Sequence, residues 1–360
     1  TFLRQYAQSG LLPVWELAGN ETNCMIGYHS VPVIADAYMK GIRDFDAELA
    51  LEAMVTSANQ DHFGLNFYKK NGYISAGDES ESVSKTLEYA FDDWCIATMA
   101  EAMGKDSLAT VFYKRSENWK NLFDPETGFF RARVNNGWFA PFRPEEVNFN
   151  YTEANSWQYS FYVPQDITGF MNLLSGKKSL EDQLDKLFVA NSETSGRHQV
   201  DITGLIGQYA HGNEPSHHTT YMYAYAGAQY KIPENVRYII DELYTDKPNG
   251  LTGNEDCGQM SAWYVLSAMG FYQIAPGQPF YDFGRPLMDE ATIHLESGKK
   301  LIIKALNNSI ETVSSVPSEK IENDLFLQPL NIINYLKSNE TFTTIASFET
   351  RENETENIKE

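Results

Sequence analysis

The 360 residues, 42% of them hydrophobic, are enough to bury a substantial core in one large domain or two. A formal net charge of −21 repels nucleic-acid phosphates and anionic membrane surfaces, which excludes both as partners and leaves neutral ligands and cations. From residue 1 to about 275 the apolar periodicity is helical. The spacing predicts helices over 31–40, 45–58, 82–103, 107–119, 155–174, 180–188, 217–229, 235–244 and 257–269. The breaks carry Gly, Pro or Asn without β-hairpin signals, and 64–80, 124–153 and 247–256 are expected to be long loops of the kind that carry function. Many short helices joined by long loops fit helix pairs packed in a ring better than a simple bundle.

After Pro276 the texture changes. Residues 291–295 and 300–306 read as a hairpin around Ser297-Gly298, and 345–350 as a further strand. Residues 1–276 are therefore expected to form a helical domain and 277–360 a small β-rich segment, with a fraying acidic tail from Arg351 to Glu360. Cys24, Cys95 and Cys257 are odd in number and far apart, so buried free thiols are expected rather than a disulfide framework or a thiolate metal site. No run of 18 apolar residues is present, and the opening TFLRQYAQSG reads as that of a trimmed chain, without signal peptide or initiator.

The densest chemistry is HGNEPSHH, His211 to His218. Asn213 and Glu214 offer hard oxygen atoms, and Pro215 favours extended or turn backbone at Glu214, a combination that suits calcium. His211, His217 and His218 lack the spacing of a zinc helix, and no thiol lies nearby. The plainer alternative has His217 and His218 opening a helix and hydrogen-bonding to backbone groups. Three carboxylates stand at loop-to-helix junctions in unusual local sequence: Glu153, Glu214 and Asp256. Any one alone is explained by capping of helix N–H groups. Together they suit glycoside hydrolysis, in which one carboxyl donates a proton to the leaving oxygen and another, ionised, activates water or attacks directly. Sequence does not give their separation, so inversion and retention both stay open.

The blocks GNETNCMIGYHSVPVIADAYMKGI, SVSKTLEYAFDDWCIA, YTEANSWQYSFYVPQD, DITGLIGQYAHGNEPSHH and GLTGNEDCGQMSAWYVLSAMGFY together resemble, in the same order, the exo-α-mannosidases of glycoside hydrolase family 92. The resemblance implies a mainly α chain: an (α/α)6 barrel, partial at its N-terminal side, with a small C-terminal β-rich appendage. It implies a partner β-sandwich domain of the same protein, N-terminal to this chain, that helps wall the site. It also implies a calcium-dependent inverting enzyme acting on terminal α-mannosyl residues of a mannose-containing glycan, secreted or periplasmic. Matched by motif, Glu153 is the general acid; members acting on mannose-1-phospho caps carry glutamine there. Asp256 is the general base. Asn254 stands where some members have a second acid, and its amide orients a water instead.

Asn213 and Glu214 match calcium ligands, with a backbone carbonyl near Gln199 as a third, and the ion is implied to hold the sugar's O2 and O3. His29, Asp36, Asp92, Asp93 and Trp94 are candidate contacts to the terminal mannose. The alternative for Asp92 and Asp93 is a pair of core carboxylates. His198-Gln199 is a partial match to the His-Glu pair of α-1,2-selective members and fixes no linkage.

Two other classes compete. A phosphorylase on a helical barrel needs a cationic phosphate site, which the acidity of the chain opposes, and an epimerase favours histidine acid–base pairs. A non-catalytic glycan-binding module would be expected to have lost Glu153 or Asp256, and both are present.

Overall fold

The computed structural model describes residues 1–278, 280–294, 300–306, 330–331 and 342–347. They fall into two compact units, Thr1–Thr219 with Ala275–Pro279, and Thr220–Ile274 with the segments from Phe280 onward.

The first unit is organised by one helix. Ser82–Ala102 runs for 21 residues and is buried on nearly every face, with Val83, Leu87, Ala90, Ile96 and Met99 fully inside. A helix buried on every face belongs in the middle of a structure. Two of the N–H groups at its start donate outward, Glu81 N to the Phe149 carbonyl at 2.6 Å and Val83 N to that of Asn150 at 3.0 Å. Those bonds satisfy donors that have no partner within the helix. Its end is turned by Gly104 at φ +71, and Asp106–Ser116 folds back as the second arm of a helical hairpin. Helices Ser30–Met39 and Ala47–Ala58 pack against the same central element around Val31, Ala35, Leu51, Met54, Tyr68 and Phe112.

Several sequence expectations change here. Residues 155–174 are not one helix but Ser156–Tyr159, a 3-10 turn Pro164–Asp166, and Ile167–Leu173. Pro164 has no N–H and forces Val163 out of the helical region, to φ −135, and Asp166 then restarts the helix by accepting from Gly169 N at 2.8 Å. Residues 217–229 form no α-helix either. Short 3-10 segments Glu214–Ser216 and Thr219–Ala224 take their place, with Pro215 in the first and Gly227 at φ +75 beyond the second. The expected loop 64–80 contains helix Leu65–Asn71. The expected loop 124–153 contains strand pairs, including Arg133–Val134 with Gly137–Trp138 across Asn135 and Asn136, both at positive φ. An Asn-Asn pair at left-handed angles is a hairpin signal. Of the cysteines, Cys95 is buried, whereas Cys24 and Cys257 are exposed free thiols.

The second unit holds helices Lys231–Leu243 and Gln259–Met269 and most of the longer strands. Glu290–His294 pairs antiparallel with Lys300–Leu306, which pairs parallel with Phe342–Ser347. The turn at Ser297-Gly298, residues 348–350 and the tail 351–360 lie outside the described residues. Leu266 and Met269 of the helix pack with Phe271, Tyr281, Phe283, Ile293, Leu301 and Ile303 of the strands. The compact units therefore follow this shared apolar core, whereas the division read from the sequence, 1–276 and 277–360, followed the change of texture.

Asp93 is fully buried within the first unit, where Arg115 Nε donates to Oδ2 at 2.9 Å, Tyr68 OH to Oδ2 at 2.9 Å and Tyr28 OH to Oδ1 at 2.6 Å. Removing one partner of such a pair leaves an uncompensated charge in a low dielectric. Arg115→Met is expected to cost about 3–5 kcal/mol in urea denaturation. Asp93→Asn in the same chain should return part of that loss.

Candidate functional site

The site in the first unit is built on one face of the central helix. Ser84, Glu88 and Asp92 follow at i, i+4 and i+8, so they line a single stripe. Ser84 Oγ accepts from Thr152 N at 2.9 Å, and Glu88 Oε1 accepts from Tyr159 OH at 2.7 Å. Glu88 Oε2 lies 2.7 Å from His29 Nε2, and Asp92 Oδ1 lies 3.0 Å from His29 Nδ1. Asp92 Oδ2 takes Tyr28 N at 2.8 Å. Gly27, at φ +77, makes room for the His29 ring, which a Cβ at that position would strike. With a carboxylate on each ring nitrogen, His29 is a doubly donating imidazolium. Burial penalises its charge, but Asp92, by charge and hydrogen bond, and then Glu88 outweigh that and raise its pKa well above the usual range.

Glu153 lies between the two anchors Ser84 and Glu88 provide. It is a non-glycine residue at φ +50, its carbonyl accepts from Asn213 Nδ2 at 3.1 Å, and helix Ser156–Tyr159 begins three residues later. That helix opens with a capping box in which Asn155 and Gln158 exchange side-chain and backbone bonds, and Asn155 Nδ2 also donates to Gln208 Oε1 at 2.8 Å. Left-handed backbone at a glutamate is strained and persists only where the surroundings hold it.

HGNEPSHH follows a short hairpin, Leu205–Ile206 with Tyr209–Ala210. Gly212 is needed there, because a Cβ would run into the Thr203 side chain. Asn213 is buried and Glu214 exposed. Since the Asn213 amide nitrogen is committed to the Glu153 carbonyl, a ligand role for Asn213 falls to its Oδ1. Two hard oxygen donors on consecutive residues fit calcium. The Gln199 side chain donates to Asp201 Oδ2 at 2.7 Å, so a role for Gln199 falls to its backbone carbonyl, and His198 is exposed. Among the described residues no three His, Cys, Asp or Glu side chains converge as a metal site.

The histidines are structural. His217 Nε2 is 2.9 Å from the His211 carbonyl, His218 Nε2 is 2.7 Å from that of Phe161, and His211 Nδ1 is 2.7 Å from Tyr209 OH. Burial lowers all three, His217 and His218 to about 4, so they are neutral near pH 7. The expected helix opening at His217 is replaced by these bonds, made by side chains within compact turns.

Other assignments shift. Asp93, a candidate sugar contact, is a core carboxylate with both oxygens occupied, and burial raises it to about 6 against the opposing pull of Arg115 and two tyrosines. Asp92 is equally buried, with Oδ1 against His29 Nδ1 and Oδ2 accepting from Tyr28 N. Asp36 accepts from Lys40 at 2.6 Å and from Gly277 N at 3.0 Å, tying its helix to the 275–278 segment. His29 and Trp94 keep part of their surface open, and Trp94 stacks on Phe91. Glu88 was missed, although its position four residues before Asp92 on a buried helix is legible in the sequence.

In the second unit, Asp256 and Cys257 stand at φ +49 and +55 ahead of helix Gln259–Met269. The carboxylate of Glu255 accepts from Ser261 N and Oγ, both at 3.1 Å, so Glu255 serves the helix start. Asn254 is exposed in the same loop.

Residues 1–330 match the model of the Glycosyl hydrolase family 92 catalytic domain. The chain belongs to this family. A family GH92 α-mannosidase from Bacteroides thetaiotaomicron, solved in complex with mannoimidazole, is 40% identical, with a TM-score of 0.82 over 87% of this chain and 42% of that one. A family GH92 inverting mannosidase from Bacteroides thetaiotaomicron VPI-5482 is 39% identical, with a TM-score of 0.77 over 86% and 44%. An uncharacterized secreted glycosidase of Arthroderma benhamiae is 30% identical over 85% of this chain and 43% of its own length. The chain thus spans less than half of each relative. Its fold class is that of family 92, a mainly α catalytic domain of the helical-barrel type with a small β part toward the C-terminus.

Within this family 92 chain, His218 sets a pH dependence of stability. Below about pH 6.5 the unfolded histidine takes up a proton that the native one refuses until about pH 4, so stability falls as pH drops through that window. His218→Gln is expected to flatten the decline by up to about 3 kcal/mol, read from denaturation curves at pH 7 and pH 4.

Proposed function

We propose that this chain carries the catalytic machinery of a calcium-dependent, inverting exo-α-mannosidase that removes terminal α-mannosyl residues from mannose-containing glycans. The observation that carries the reading is Glu153 itself. An acidic residue is held in strained left-handed backbone, anchored by Ser84 and Asn213, in a chain of the family that includes an inverting mannosidase.

In this mechanism Glu153, protonated, gives its proton to the glycosidic oxygen as the bond to the anomeric carbon breaks. The Asp256 carboxylate takes a proton from a water whose oxygen attacks the same carbon from the opposite face. The products are β-mannose and the free alcohol, and Asn254 orients the water through its amide. Asn213 Oδ1, the Glu214 carboxylate and the backbone carbonyl near Gln199 would hold calcium, which when bound supplies a Lewis acid for two neighbouring sugar hydroxyls. Trp94 offers an aromatic wall to the terminal sugar, and His29, its two ring N–H groups committed to Asp92 and Glu88, lends positive charge beside it. The protein acts outside the cytoplasm, as a secreted or periplasmic glycosidase, a reading supported by the name of the Arthroderma relative. A β-sandwich domain of the same protein completes the wall of the site, in keeping with the share of the relatives that this chain covers.

The test uses the full-length protein with α-linked manno-oligosaccharides, with and without EDTA, and follows the released anomer by NMR. β-Mannose is expected first, with turnover abolished by EDTA and restored by calcium. Initial α-mannose, or turnover indifferent to EDTA, would overturn the mechanism. Glu153→Gln is expected to lose about 10²–10⁴-fold on aryl mannosides with poor leaving groups, and progressively less as the leaving group improves.

A further inference from the structure

The buried polar stripe of the central helix connects to the Glu153 turn at two points. Thr152, on one side of Glu153, is fixed through its N–H to Ser84. Tyr159, at the last position of the helix that follows Glu153, is fixed through its hydroxyl to Glu88, one helical turn further along the same face. Both Glu88 and Tyr159 are buried, and Glu88 also holds His29, so its carboxylate has a donor on each oxygen. Nothing in this arrangement is needed simply to fill the core, since a phenylalanine over a leucine would pack as well without desolvating a charge.

We infer that Glu88 and Tyr159 form a positioning pair for the general acid: the Tyr159–Glu88 hydrogen bond fixes the short helix Ser156–Tyr159 on the central helix, Ser84 fixes Thr152 there, and together they set where the Glu153 carboxyl is held. The inference rests on the assignment of Glu153 as the acid. It assigns work to two residues outside the catalytic set, neither of them placed against substrate. A strained turn clamped on both sides by one rigid helix holds a reacting group more closely than a turn supported by its own loop. Displacement of a catalytic group by about 1 Å costs on the order of 100-fold in rate.

The variant that isolates the bond is Tyr159→Phe, which removes one hydroxyl and leaves Glu88 paired with His29. In the full-length protein, kcat is expected to fall about 10- to 100-fold on aryl mannosides with poor leaving groups. The loss should shrink toward none for leaving groups that need no proton, with KM nearly unchanged. In the Glu153→Gln background the same change should cost nothing more, because the group being positioned is gone. A loss equal across the leaving-group series, a full additional loss in the Glu153→Gln background, or no loss in a normally folded variant would each overturn the inference. If Tyr159→Phe fails to fold, Ser84→Ala removes the other anchor and carries the same expectations. A Glu153→Gln enzyme whose own loss ignores the leaving group would instead overturn the acid assignment, which separates the two failures.

Discussion

The central constraint in this chain is that its most buried helix carries charge. Ser82–Ala102 holds Lys85, Glu88, Asp92 and Asp93 inside a core of alanine, leucine and aromatic rings. A bare ion in such surroundings is prohibitively costly, so each of these groups must find an opposite charge or a set of donors. Lys85 finds Glu79 and Glu81, Asp93 finds Arg115 and two tyrosines, and Glu88 and Asp92 share His29. The partners of Glu88, Asp92 and Asp93 come from other elements of the first unit, and satisfying them draws those elements onto one helix. Packing of apolar surface stabilises the unit, and the charged stripe selects the one arrangement in which nothing polar is stranded.

The same chemistry explains why histidines take opposite states within one unit. His29 lies between two carboxylates and is held as a cation. His217 and His218 face backbone carbonyls inside the core and are held neutral. Their surroundings decide, since the side chain is the same in each case. That division leaves the oxygen atoms of Asn213 and Glu214 as the groups of HGNEPSHH proposed for calcium, with the histidines holding the turns through their backbone bonds.

The two carboxylates of the proposed chemistry both stand on strained backbone. Glu153 and Asp256 are both acidic residues at positive φ, each just ahead of a helix, and each stands beside polar residues whose own bonds are already committed. For Glu153 the clamps are visible in detail, from Ser84, Asn213 and the capping box that follows. Strained backbone of this kind is sustained by the rest of the fold and aims a side chain that a relaxed turn would leave free to wander.

The sequence by itself determined the mainly α character, most long helices, the strands after residue 276 and the family, because apolar periodicity and ordered motif blocks are local signals. Glu153, Asp256, Asn213 and Glu214 were legible as candidates for the same reason: each stands in an unusual local string. The break at Pro164 was also written locally, yet the apolar pattern running through it masked the stop. What only the tertiary structure decided was the role of residues whose partners are far away. Asp93 became a core ion because Tyr28, 65 residues before it, and Arg115, 22 after it, meet at its carboxylate. Glu88 gained its place because Tyr159, 71 residues later, reaches it. A carboxylate on a helix has the same local signature whether it faces sugar, solvent or a buried tyrosine, and only the long-range contacts that folding creates tell these apart.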